Sequence, residues 1–276
     1  MLKIRVISAI IMAAVFLSVL FLLPALAFSV FIALVVVVGA WEWANLSGFE
    51  LSSARIGYAG VVGLSLLGLY YYCGFDLGAL RLESIKTLLL IACGFWAVAL
   101  LWVQGFPQSS LLWGNRWLRL IMGLLVLLPT WLALVYVRSL ESGQWLVLLA
   151  IVLIAIADMG GYFSGRYFGR RKLAIHVSPG KTWEGFWGGQ LCNAVLALLI
   201  VAFNNDLSLV IVSIVIMASL ASVLGDLLES MVKRHRGIKD SGKLLPGHGG
   251  VLDRVDGITA AMPFYALGLL LSGWHF

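Results

Sequence analysis

Near the C-terminal end of the sequence, carboxylates stand in two pairs at helical spacing: Asp226 with Glu229, and Asp253 with Asp256. Side chains three apart share one face of a helix, so each pair can meet a single ligand. Between the pairs run Lys233-Arg234, then Lys239-Asp240-Ser241-Gly242-Lys243, then Pro246-Gly247-His248-Gly249-Gly250. Carboxylates gathered at one depth repel each other unless cations neutralise them, and hard oxygen donors suit Mg²⁺. Glycines such as Gly249 and Gly250 let backbone amides approach an anion. Lys233, Arg234, Lys239, Lys243 and Arg254 can neutralise phosphate charge. His248 offers either a proton shuttle or a plain hydrogen-bonding loop residue. Together these are the parts of a metal-assisted displacement at phosphorus. The alternative is a structural role, with the carboxylates paired to Arg234 and Arg254.

The rest of the chain must hold that polar stretch in place. Among 276 residues there are 19 Lys and Arg and 13 Asp and Glu, and eleven of these charges lie between Gly225 and Gly257. Only 12% of the chain is charged, 62% is hydrophobic and the mean hydropathy is +1.01, whereas soluble domains carry about 25% charged residues. Apolar runs of spanning length recur throughout, at about 6–23, 26–44, 56–73, 87–103, 119–137, 144–163, 185–203, 208–228 and 257–273. The expected fold is therefore all-α: one polytopic integral membrane bundle of about nine transmembrane helices, because helices satisfy their own backbone groups in lipid. Lys3, Arg5 and the run ending at Pro24-Ala25-Leu26-Ala27 share features with a cleavable signal peptide. The near-spanning apolar core favours a retained first span.

With the N-terminus inside and strict alternation, sixteen Lys and Arg fall on the inner side; only Arg81, Lys86 and Arg138 fall on the outer one. The positive-inside rule then makes the inner side cytoplasmic and supports the count of nine. It also puts Phe276 outside, and it makes the net charge of +6 a basic face suited to anionic head groups and nucleotide phosphates. Cys73, Cys93 and Cys192 lack CxxC spacing and read as packing residues. Trp41, Trp43, Trp113 and Trp117 fit an interfacial belt. Glu42 reads either as functional, since an ionisable residue within a span is costly, or, the favoured reading, as lying at the head-group boundary. No repeat or soluble domain is visible.

One earlier stretch is informative, DMGGYFSGRYFGRRKLAIHVSPGKTWEG from Asp158 to Gly185. Gly160, Gly161, Gly165 and Gly169 permit close helix packing or tight turns. Ser178-Pro179-Gly180-Lys181-Thr182 sets hydroxyls, flexible backbone and an ammonium side by side, which suits phosphate, although Walker A spacing is absent. A helix cap by Ser178 or Thr182 is the plainer reading.

Ser230 to Asp256, as S-x-V-K-R-x4-K-D-S-G-x2-L-P-G-H-G-G-V-x-D-R-V-D, resembles the signature of the phosphatidate cytidylyltransferase (CDP-diacylglycerol synthase) family. The Ser178-Pro179-x-Lys181-Thr182-x-Glu184-Gly185 and Asp158…Tyr162-Phe163-x-Gly165-Arg166 segments are similar to that family's other motifs, so the resemblance covers about 158–257. Departures are Gly180, where the family usually has Lys, Met159, where a hydroxyl residue is usual, and Gly257, where Ser is common.

The resemblance implies a membrane enzyme that joins CTP and phosphatidate into CDP-diacylglycerol and pyrophosphate at the cytoplasmic face. It implies metal binding by Asp226, Asp253 and Asp256, with Mg²⁺ as cofactor and a second cation open. The catalytic set would be those three with Lys233, Lys239, Asp240 and His248. Substrate would be bound by Ser178, Lys181, Thr182, Arg234, Lys243, Gly249, Gly250 and Arg254. The expected setting is the bilayer of a bacterial inner membrane, with a homodimer admitted and no nucleic acid partner. A transporter would show paired halves and broken helices, which are not seen here. A CDP-lipid-using enzyme would need Arg where Ala261 stands. The nearest rival is a CTP-dependent lipid kinase.

Overall fold

A computed structural model describes residues 2–203 and 209–273; Phe276, expected outside, lies beyond the described residues. Ten helices and one small hairpin follow one another. They are α1 (Leu2–Leu22), α2 (Ala25–Leu46), α3 (Ser52–Tyr72), α4 (Leu82–Gln104), α5 (Ser110–Trp113), α6 (Arg116–Ser139) and α7 (Gly143–Phe168). Strands β1 (Lys172–Ala174) and β2 (Ser178–Thr182) come next, then α8 (Trp183–Phe203), α9 (Leu209–Arg236) and α10 (Leu252–Ser272). Among the described residues nine helices are long and apolar enough to cross a membrane, all but the four-residue α5. The protein is an integral membrane protein with the architecture expected from its apolar runs.

The helices extend past the apolar runs that signalled them. The run at 208–228 becomes α9 through Arg236, and the run from 257 begins already at Leu252. Those added turns carry Glu229, Lys233, Asp253 and Asp256, so these residues and Asp226 are all mounted on helix rather than loop. The antiparallel hairpin of β1 and β2 was not expected. Its strands are three and five residues long, too short and too polar for an alternating pattern to show.

The most extensive pairings are α7 with α8 and α9 with α10. Small residues permit the first: a side chain on Gly189 would strike the Ala157 carbonyl, and one on Gly188 would strike Ser164. This is the close approach used by small residues in membrane helices. The core is widest around α6 and α10, where Trp131, Tyr265, Met262 and Val137 are buried. Trp43 and Trp113 are also buried, so protein rather than lipid surrounds their rings. The Trp43 indole N–H donates to the Arg119 carbonyl at 2.7 Å, so the ring is fixed by packing against α6. Trp117, by contrast, is exposed. The three cysteines are unpaired.

Contacts gather five segments at one end of the bundle. Arg236 pairs with Glu50 of the α2–α3 turn at 2.6 Å, and the Arg234 guanidinium donates to the Val177 carbonyl of the hairpin at 3.2 Å. The His235 ring lies 4.9 Å from that of Trp113, and Ser8 Oγ of α1 is 2.8 Å from His248 Nδ1. These are the segments that alternation puts on one side.

Candidate functional site

Helices α9 and α10 touch where Gly225 meets the backbone of Asp256, a point at which any side chain would collide with the Asp256 carbonyl. That contact places Asp226 and Asp256 at the same helix crossing. Lys181, from strand β2, lies 2.6 Å from Asp226 Oδ2, and Ser230 Oγ donates to Asp226 Oδ1 at 3.0 Å. Asp256 Oδ1 accepts the Gly257 amide at 2.7 Å. Among the described residues no cation forms an ion pair with Asp256.

A second cluster sits further along the same helices. Lys233 Nζ is 3.1 Å from Glu229 Oε1 and 2.7 Å from Asp253 Oδ1, with the three side chains only 8%, 4% and 7% exposed. The other Asp253 oxygen accepts the Ser241 amide at 2.9 Å and the Gly250 amide at 2.8 Å, with Ser241 Oγ 3.0 Å away. The Asp253 carboxylate is thus saturated by donors. It holds the loop that joins α9 to α10.

Two of the cavities at this end hold most of the expected site residues. One, about 470 Å³, is lined by Asp158, Arg166, Ser178, Gly180, Lys181 and Asp226, among others. The other, about 620 Å³, lies against the α9–α10 loop and is lined by Lys239, Asp240, Lys243, His248, Gly249 and Arg254, with Arg5 of α1 contributing. Gly249 turns the loop with a φ of +84°, a conformation that favours glycine, and its carbonyl accepts the Leu245 amide at 2.9 Å.

The predicted residues therefore fall into three groups. Lys181, Ser178 and Asp226 share the first cavity, with Asp256 beside them. Lys239, Asp240, Lys243, His248, Gly249 and Arg254 share the second. Lys233 and Asp253 face neither, being spent on the buried cluster, with Gly250 behind them as a backbone donor. The salt-bridge alternative named the wrong cations: the carboxylates pair with Lys181 and Lys233, while Arg234 donates to the Val177 and Ile238 carbonyls. The Thr182 hydroxyl accepts the Gly185 amide at 3.1 Å, the helix-cap role. Glu42 sits one turn from the end of α2, against the polar loop. It is fully buried and accepts the Val251 and Leu252 amides at 3.0 and 2.9 Å. An ionisable residue inside an apolar run was the available signal.

Among the described residues no three His, Cys, Asp or Glu side chains converge into a ready-made metal cage. Two carboxylates at one helix crossing are nevertheless the provision Mg²⁺ uses, since it is usually bound by one or two carboxylates together with substrate phosphates and waters. Asp226 and Asp256 fit such an ion; Asp253, already saturated, fits it poorly.

Residues 3–271 match the Cytidylyltransferase family. The chain belongs to that family. It is 42% identical over 277 residues to the phosphatidate cytidylyltransferase of Pseudomonas aeruginosa, an alignment covering 99% of each chain. It is 39% identical to the Haemophilus influenzae protein of that name, over 96% of this chain and 98% of the relative. The Staphylococcus aureus counterpart is 29% identical over 98% of this chain. The cytidylyltransferase is thus a nucleotidyltransferase, as the resemblance implied.

Two departures from the family pattern gain a physical setting. A side chain at Gly257 would lie 3.2 Å from Ile154 Cγ2, so the bare glycine lets α7 pack closely on α10. Gly180 has nothing within 4 Å of where a side chain would start, and it lines the first cavity. Gly180→Lys is therefore accommodated without strain and adds an ammonium to the cavity that holds Lys181 and Asp226. The expected result is a KM for CTP lower by about two- to fivefold, the scale of a partly exposed ion pair. Steady-state kinetics with varied CTP test this, and an unchanged or higher KM would place the triphosphate elsewhere.

Proposed function

We propose that this cytidylyltransferase condenses CTP with phosphatidate, giving CDP-diacylglycerol and pyrophosphate, at the cytoplasmic face of a bacterial inner membrane. The observation that carries the reading is the adjacency of two unlike cavities. The Lys181–Asp226 cavity shares Leu173, Phe186 and Val223 with an apolar cavity of about 720 Å³ between α4, the hairpin, α8 and α9. A substrate with an anionic head and hydrocarbon tails fits that pair of spaces. The names of relatives matched over nearly their whole length point to the same substrate, and the sixteen-to-three charge asymmetry supports the orientation.

An oxygen of the lipid phosphate attacks the α-phosphorus of CTP, and the bond between that phosphorus and the bridging oxygen to the β-phosphorus breaks. The nucleophile is already an anion, so no base is required. Lys181 exchanges its carboxylate partner for a phosphate oxygen. Lys239, Lys243 and Arg254 offer charge for the leaving pyrophosphate. Mg²⁺, held by Asp226 and Asp256, would supply further neutralisation of the phosphates. His248 is engaged with Ser8 of α1 in the second cavity and acts as a loop anchor.

Label transfer separates this reaction from a CTP-dependent lipid kinase. Label at the α-phosphate of CTP is expected in the lipid fraction and label at the γ-phosphate in pyrophosphate. Lipid carrying the γ-label, with CDP accumulating in the aqueous phase, would overturn the reading.

A further inference from the structure

Glu42 lies on α2, about two hundred residues from the polar loop, yet its carboxylate is built into that loop. Oε1 accepts the Val251 amide at 3.0 Å; Oε2 accepts the Leu252 amide at 2.9 Å and is 3.0 Å from Ser241 Oγ. A side chain at either Gly242 or Gly250 would collide with it, so both glycines are closed over the carboxylate. Among the described residues no Lys, Arg or His pairs with it. A buried carboxylate needs compensation, and here the first amides of α10 provide it, at the positive end of that helix.

The carboxylate grips two separated points. Ser241 begins the loop segment and Val251-Leu252 ends it; Asp253 grips nearly the same points, Ser241 and Gly250, from α10. One turn along α2, Asn45 Nδ2 reaches the Ser241 carbonyl at 3.5 Å, and Asn45 is itself fixed by Arg55 at 2.6 Å. The stretch from Gly242 to Gly249 is thereby strung between two clamped ends, and it carries Lys243, His248 and the turn that line the second cavity. From this we infer that Glu42 is a positioning residue for the nucleotide-binding loop, acting through Ser241, Val251 and Leu252 without touching substrate. The inference rests on the proposed cytidylyl transfer and adds to it a determinant in the half of the chain that carries none of the family motifs.

Glu42→Gln keeps the size but replaces one acceptor oxygen with an NH₂ group that faces an amide donor. For loss of charge-assisted hydrogen bonds, kcat/KM for CTP is expected to fall about 10- to 100-fold. KM for phosphatidate should stay within about twofold, the scale of an interaction not involved. Hydrogen exchange in detergent should show lost protection at Val251 and Leu252, with α6 and α7 unchanged. Glu42→Asp, which keeps the charge one methylene short, should fall between; it decides the matter if Glu42→Gln does not fold. Wild-type kinetics per folded molecule in Glu42→Asp, and in Glu42→Gln where it folds, would overturn the inference. So would an equal loss for both substrates that merely tracks the folded fraction. If the wild type transferred no cytidine to phosphatidate, the functional reading would fail, while amide protection would still judge the clamp.

Discussion

Asp226→Asn and Asp256→Asn each lower turnover by about a thousandfold while leaving the protein folded and inserted. Losing a ligand charge removes several kcal/mol of electrostatic stabilisation, and about 1.4 kcal/mol is a factor of ten. Folding is spared because Asn keeps the side-chain volume and one acceptor oxygen, and because Asp256 forms no ion pair among the described residues. The Lys181 pair lost in Asp226→Asn is 25% and 31% exposed, so its contribution to stability is modest. Turnover of CTP and phosphatidate, measured beside thermal unfolding in detergent, tests both halves. Near-normal Mg²⁺-dependent activity in both variants would reduce the pair to a structural role.

Lys233→Met gives the opposite signature, a large loss of stability. The substitution leaves Glu229 and Asp253 face to face without a counter-ion at 4% and 7% exposure. Breaking a buried pair in this way costs about 3–5 kcal/mol, or roughly 10 °C in unfolding temperature. Adding Glu229→Gln removes one of the stranded charges and should restore at least half of the loss, a coupling that a double-mutant cycle isolates. Unchanged unfolding in Lys233→Met, or no recovery in the double variant, would show that the cluster is not a closed electrostatic unit.

Those two outcomes mark the boundary of what spacing alone could reveal. The nine spans were legible because each is a continuous apolar run of bilayer length, and the site's location was legible because its charges had no other reason to interrupt such runs. Asp253 and Asp256 stood out together at three-residue spacing, yet they do different things: Asp256 meets Asp226, while Asp253 is consumed by Lys233, Ser241 and Gly250. Helical spacing gives a shared face but not what lies opposite it. The Lys181–Asp226 pair, the Glu42 clamp and the cations chosen by the buried carboxylates are all contacts between distant segments. The hairpin escaped notice because its two short strands are stabilised by partners, among them Glu184, which accepts the Arg170 amide at 3.0 Å.

The ion pair between Lys181 and Asp226 has a bearing on the order in which ligands arrive. At rest the ammonium serves as the site's own counter-ion, so in the proposed reaction a divalent ion would have to displace it and would gain only the difference between two cations. A nucleotide phosphate would offer Lys181 another anion in exchange and would so free the carboxylate. Such a swap makes the two arrivals interdependent. In the proposed reaction it would disfavour idle occupation by stray cations and would reserve the acidic pocket for the moment at which the triphosphate is present.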